Sequence, residues 1–188
     1  MKEIIKLIQS DLFRVCGRTD SGAFIRTFLS KEGFNYLVWF RLASGMRGTF
    51  IGRLLRIKLR SQQRRFGIVI PVGTTIGPGF YIGHFGGIVV NETAVIGANC
   101  NISQNVTIGS NHGRAATIGQ NVYIGPNVCI IEDVEIGDNV TIGAGSVVTR
   151  YVRSFTTVAG SPARVIREDD AARAGRYVTR RWEVSSDV

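Results

Sequence analysis

Thr117-Ile118-Gly119-Gln120-Asn121-Val122-Tyr123-Ile124-Gly125-Pro126-Asn127-Val128-Cys129-Ile130 decides the fold. It reads in sixes. An aliphatic residue recurs at Ile118, Ile124, Ile130, Ile136, Ile142 and Val148, with Gly directly after it at 119, 125, 137 and 143. A β-branched or small residue stands four places on, at Val122, Val128, Val134, Val140 and Ser146. The same period runs upstream through Ile70, Ile76, Ile82 and Ile88, then in a shifted phase through Val90, Ile96, Ile102 and Ile108. A six-residue repeat of this kind is the signature of a parallel β-helix. Three hexads make one triangular coil, with the aliphatic residue on the axis and the β-branched residue on a pleated, half-buried surface. Each coil buries its apolar face only against its neighbours, so several are needed. A β-sandwich, with unequal strands and turn signals at wider spacing, does not fit the period.

Two departures interrupt the sixes. A two-residue phase shift is read between Ile88 and Val90. A four-residue excess between Ile108 and Ile118 makes Ser110-Asn111-His112-Gly113-Arg114-Ala115-Ala116 an excursion. Insertions in a solenoid project as loops, often on the binding edge.

Outward from the repeat, residues 1–66 read as helical. Ile4, Ile5, Ile8, Leu12 and Val15 form one stripe over residues 1–15. A second helix is expected from Ala23 to Leu29, ended by Gly33. A third should run from Phe34 to about Met46 and a fourth from Ile51 to Arg65. Residues 168–188 read as a tail, with a helix from Glu168 to Arg181. The organisation expected is a helical N-terminal region over 1–66, a β-helix over 67–167 and a partly helical tail.

The 188 residues carry a net charge of +9, distributed unevenly. Residues 1–66 hold fourteen Lys/Arg against four Asp/Glu, whereas residues 67–150 hold two against five. The repeat itself is thus mildly acidic, and no nucleic-acid motif accompanies the basic segment. The fourth helix concentrates the charge: Arg53, Arg56, Lys58, Arg60, Arg64 and Arg65 interleave with Ile51, Leu54, Leu55, Ile57 and Leu59. Such a helix can lie on an anionic membrane, although a charge run is more often a solvated face, and that reading is preferred here. No signal peptide or membrane span is expected. Cys16, Cys100 and Cys129 are odd in number and far apart, which points to buried thiols in a reducing, cytoplasmic setting.

The chain has two histidines. His84 lies in Ile82-Gly83-His84-Phe85-Gly86-Gly87, where flanking glycines leave room for a ligand near the backbone. Counting one coil on puts Gln104 beside it on the same flat side. A free imidazole titrates near neutrality and can take a proton from a hydroxyl, so His84 is the candidate catalytic residue. His112 and Arg114, on the excursion, form a candidate anion-binding pair.

The segment Gly83-His84-Phe85-Gly86-Gly87-Ile88-Val89-Val90-Asn91-Glu92-Thr93-Ala94-Val95-Ile96-Gly97 resembles the signature around the catalytic His of serine acetyltransferases, which are left-handed β-helix acyltransferases. Ala159-Gly160-Ser161-Pro162-Ala163-Arg164-Val165-Ile166 is similar to that family's terminal coenzyme A segment. Together the resemblance covers residues 66–167. Ser10-Asp11-Leu12 and Phe40-Arg41-Leu42-Ala43 extend it more weakly into the helices. It implies a left-handed parallel β-helix with a helical N-terminal cap, and acetyl-CoA as co-substrate without a metal; a flat face with exposed glycines and a projecting loop suits a homotrimer, one subunit's loop covering the next subunit's groove. It implies His84 as general base, with Glu92, Gln104, His112 and Arg114 at the acceptor. Gly125, Ala144, Thr149, Arg150 and Arg167 would contact the cofactor, the arginines at its phosphates.

Three positions depart from the family pattern. Gly83 stands where an Asp precedes the His, Val69 where an Asp orients it, and Ala115 follows Arg114 where a His is usual. Acetyl transfer is therefore expected with serine as the family acceptor, and a sugar hydroxyl of the surface-polysaccharide kind as the alternative. A carbonic anhydrase of the same fold would need three histidines. A non-catalytic scaffold is the remaining alternative.

Overall fold

A computed structural model of the chain describes residues 1–168 and 176–183. Four helices open it: α1 (Lys2–Cys16), α2 (Ser21–Ser30), α3 (Glu32–Gly45) and α4 (Phe50–Phe66). Their limits follow local chemistry. Gly17 ends α1 in the left-handed region at φ 72°, and Gly67 does the same for α4 at φ 61°. The Asp20 carboxylate caps α2 by accepting from the Ala23 N–H at 3.0 Å, and the Thr49 hydroxyl accepts from Gly52 N–H at 3.0 Å before α4.

The rest is a solenoid of three parallel sheets. The first face holds β1 (Ile68–Val69), β4 (Ile88–Val90), β7 (Thr107–Gly109), β10 (Cys129–Ile131) and β13 (Val147–Val148). The second holds β2 (Thr75–Ile76), β5 (Val95–Ile96), β8 (Thr117–Ile118) and β11 (Glu135–Ile136). The third holds β3 (Tyr81–Ile82), β6 (Asn101–Ile102), β9 (Tyr123–Ile124), β12 (Thr141–Ile142) and β14 (Thr157–Ala159). The chain visits the faces in rotation. The last strand, β15 (Arg164–Arg167), folds back antiparallel on β14 and ends the stack.

The aliphatic anchors are buried as the period requires; Ile102, Ile108, Ile124, Ile130 and Ile142 are wholly inaccessible. Truncating one to Ala would cost about 2–5 kcal/mol. Left-handed Asn residues turn the corners: Asn99, Asn121 and Asn139 on one edge, Asn105 and Asn127 on another, with φ of 57–58°. Asn tolerates that region better than most side chains.

Register relocates one departure. Val69 pairs Val89, Val89 pairs Thr107, Thr107 pairs Cys129 and Cys129 pairs Val147, so the coils step by 20, 18, 22 and 18 residues. Ile88 aligns with Ile68, and both Ile88 and Val90 point inward within β4. The two extra residues therefore lie in the corner His84-Phe85-Gly86-Gly87, not between Ile88 and Val90. Two inward residues on one strand had disguised a corner insertion as a phase shift.

Gly33 is also reassigned. It does not end the second helix; it sits in the first turn of α3, and a Cβ there would stand 2.4 Å from the Ile82 carbonyl oxygen. Gly is needed because the helix backbone presses on β3. Of the tail helix expected from Glu168 to Arg181, residues 169–175 lie outside the described residues; 176–177 are helical but 178–181 are not, and Tyr177 stacks on Tyr123 at 4.4 Å.

The helices are locked to the first coil by a buried ion pair. Arg41 Nε donates to Asp11 Oδ2 at 2.8 Å and Nη2 to Oδ1 at 3.0 Å, with both side chains at most 3% exposed. Arg41 also donates to the carbonyls of Ile76 and Gly77, at 2.6 and 2.7 Å. Asp11 accepts from the Phe80 N–H, and the Ser10 hydroxyl from the Gly79 N–H, each at 2.8 Å. Burial pushes the Asp11 carboxyl up, while Arg41 and the Phe80 N–H pull it back. The motifs Ser10-Asp11-Leu12 and Phe40-Arg41 thus join helices to solenoid.

Candidate active site

His84 follows β3 on the edge between the third and first faces, and the added residues of its corner lift it out of the coil. Its side chain is exposed and lines a cavity of about 200 Å³. One wall is the corner itself with Tyr81; the other is the end of α1, at Val15, and the start of α3, from Lys31 to Phe34. The helical region therefore shapes the space beside the imidazole, and Gly33 lets that wall come close. Phe85 rests edge-on against Phe66 at 5.7 Å, fixing the corner to the end of α4.

Gln104 occupies the same place one coil on, since Ile82 pairs Ile102 and the Gly83 N–H donates to the Ile102 carbonyl at 3.2 Å. It sits at the edge, not on the flat face expected for it. Gly125 and Ala144 continue this edge: a Cβ on Gly125 would come within 2.9 Å of the Ala144 nitrogen. His84, Gln104, Gly125 and Ala144 thus mark one edge over about 14 Å, three strand spacings.

The other named residues lie elsewhere. Glu92, His112 and Arg114 are on the edge between the first and second faces, after β4 and β7. The Glu92 carboxylate sits over Gly73, and Arg114 approaches Asp133 at 3.6 Å in an exposed pair. Thr149 and Arg150, after β13, line a second cavity of about 200 Å³ at the end of the stack. Arg164 lines it with them, while Arg167, the expected phosphate contact, stands on β15 opposite Thr157. Among the described residues, His84 thus stands on a different edge of the prism from His112 and Arg114.

Glu132, which carried no sequence signal, organises the excursion. Its carboxylate accepts from the Ser110 hydroxyl at 2.8 Å and from the N–H groups of Asn111 and His112 at 3.2 Å each. These bonds, Ser110 first, hold the carboxyl below the usual carboxylate range. A lowered folded-state value means that this anchoring is present above the ordinary carboxylate range and is lost as pH falls through the lowered value. Glu132→Ala should lower the hydrogen-exchange protection factors of the Asn111 and His112 amides at neutral pH, and acid should lower them in the parent, each rate being referred to its intrinsic value at that pH. Unchanged exchange in the variant would show that the loop holds itself.

Gly83 has a local reason as well. A Cβ there would lie 3.3 Å from the Tyr81 ring, so a larger residue requires that ring to move.

The family model of bacterial transferase hexapeptide repeats matches residues 115–150. A serine acetyltransferase of Synechococcus elongatus is 35% identical over 87% of this chain and 69% of its own length. That of Bacillus subtilis is 36% identical over 62% of this chain and 54% of its own. Among solved structures, Neisseria gonorrhoeae serine acetyltransferase in complex with serine superposes with a TM-score of 0.78 at 30% identity, covering 88% of this chain and 70% of that one. The Brucella abortus enzyme in complex with coenzyme A gives 0.76 at 30% identity, covering 86% and 67%. The solenoid is thus a left-handed β-helix of hexapeptide repeats, and the chain belongs to the serine acetyltransferase family of acetyl-CoA-dependent O-acetyltransferases.

Proposed function

We propose that this chain transfers the acetyl group of acetyl-CoA to a hydroxyl, with L-serine as the acceptor its relatives use, and that His84 is the general base. The observation that carries the reading is an exposed imidazole at a cavity mouth, on the edge that Gly125 and Ala144 continue. That edge suits an extended thioester ligand, with its phosphates toward Arg150 and Arg164. The His84 imidazole takes the acceptor's hydroxyl proton as its oxygen attacks the thioester carbon. The tetrahedral intermediate then collapses with cleavage of the C–S bond, and the proton passes to the departing thiolate. Ester and free coenzyme A thiol are the products.

A second reading, a sugar hydroxyl, is favoured by one set of observations. Gly83, Val69 and Ala115 leave out the two carboxylates and the loop histidine expected of a serine site. Thiol release from acetyl-CoA measured against serine, homoserine and a panel of sugars separates the two. Saturable release with serine alone removes the sugar reading, and release with sugars alone removes the serine reading.

The separation of His84 from His112 and Arg114 supports a homotrimer in which one subunit's loop covers the next subunit's His84 edge, a closed heterologous ring. Mixing inactive His84→Ala chains with inactive His112→Ala/Arg114→Ala chains should then restore part of the activity, because some interfaces join two intact halves. No recovery, with a monomer by light scattering, would end the proposal. The unpaired state of Cys16, Cys100 and Cys129 is compatible with the cytoplasm.

A further inference from the structure

Helix α4 has one face that no other part of the described residues covers. Its inner side, Leu59, Gln62 and Phe66, is buried on the solenoid and α3. The outer side carries Phe50, Leu54 and Ile57 at 74%, 53% and 66% exposure. Spacings of four and three place these residues, with Ser61 and Arg64 beyond them, on one stripe along a helix about 25 Å long. At 100° per residue Arg53 and Arg60 flank the stripe on one side, and Lys58 and Arg65 on the other. No Asp or Glu occurs between Phe50 and Phe66. Lys58 and Arg65 lean over the rings of Trp39 and Phe66, at 5.3 and 5.2 Å, so that flank is held at the base of the ridge.

An apolar ridge between two cationic margins is the arrangement of an interfacial helix. The ridge enters the boundary between headgroups and acyl chains while the basic side chains stay at the phosphates. We infer that α4 docks this protein on an anionic lipid surface, with Phe50, Leu54 and Ile57 inserted and Arg53, Lys58, Arg60 and Arg64 at the lipid phosphates. A second copy of the same face is a poor occupant. It would bring cations against cations with no carboxylate between them, and three ridge side chains fall well short of the ~800 Å² per partner that a stable protein interface buries. No described helix is long and apolar enough to cross a membrane; the contact inferred is peripheral.

Flotation of the full chain with vesicles tests this. Parent protein should float with phosphatidylcholine vesicles containing phosphatidylglycerol, much less with phosphatidylcholine alone, and less as salt rises. Leu54→Gln/Ile57→Gln should weaken partition on the order of one hundred-fold by removing inserted apolar area. Arg53→Gln/Arg60→Gln should weaken it about thirty-fold by removing two cations from the surface. All four positions are exposed, so both double variants should keep the parent's melting temperature and its thiol release from acetyl-CoA; that separate readout distinguishes failure here from failure of the proposed catalysis. Absence of flotation with the mixed vesicles, equal flotation with both vesicle types, or undiminished flotation of either double variant would overturn the inference. So would dissociation of an assembly by Leu54→Gln/Ile57→Gln in light scattering, which would make the ridge a contact between copies.

Discussion

His84→Ala should reduce thiol release from acetyl-CoA by about a thousand-fold and leave folding intact. The two halves of that expectation have different physical sources. A positioned base removes the acceptor's proton as the oxygen attacks, and without it the neutral hydroxyl is a poor nucleophile towards a thioester. Folding is spared because the imidazole is exposed and, among the described residues, makes no hydrogen bond. Its corner is held by Phe85 on Phe66 and by Asn105, whose N–H donates to the Gly86 carbonyl at 2.8 Å. Steady-state kinetics with circular dichroism melts checks both halves. A variant that keeps near-parental turnover would move the chemistry away from this edge; one that loses activity and cooperative melting together would make His84 a structural residue.

The largest expected loss of stability belongs to Asp11→Ala, at about 3–5 kcal/mol. The substitution leaves the Arg41 guanidinium buried with only the Ile76 and Gly77 carbonyls, and leaves the Phe80 N–H without its acceptor. Replacing both partners with apolar residues should cost much less, since a buried pair is far more sensitive to losing one charge than both. Urea unfolding of the two variants compares them directly. An Asp11→Ala loss of less than about 1 kcal/mol, the scale of an exposed ion pair, would mean that water reaches the site. Because α3 carries both Arg41 and the cavity wall at Gly33 and Phe34, Asp11→Ala should also depress activity beyond what unfolding accounts for.

The solenoid was legible because its rule is local. Six residues fix one side of the prism, and an inward isoleucine at each return is enough to stack coil on coil. The N-terminal helices were legible for the same reason, through apolar stripes such as Ile4, Ile8, Leu12 and Val15. The Ser110–Ala116 excursion was found as a break in the period. The insertion beside His84 was misplaced, because Ile88 and Val90 both point inward and only pairing with Ile68 shows which is the extra turn of the pattern. Glu132 carried no signal because its partners, Ser110, Asn111 and His112, lie a full coil away in sequence. Gly33 looked like a helix terminator because nothing nearby in sequence reveals that a carbonyl of β3 will press against it.

By itself, then, the amino-acid order determined the β-helix and its helical N-terminal region, and singled out His84 as the candidate for proton transfer. All three rest on spacing along the chain and on side-chain chemistry. Only the tertiary structure decided how those parts meet: which edge each polar residue occupies, that Asp11 and Arg41 weld helices to the first coil, and that α4 turns an apolar ridge outward. Coil register, a buried ion pair and the rotation of a helix about its own axis each depend on contacts between residues tens of positions apart, which no local period records.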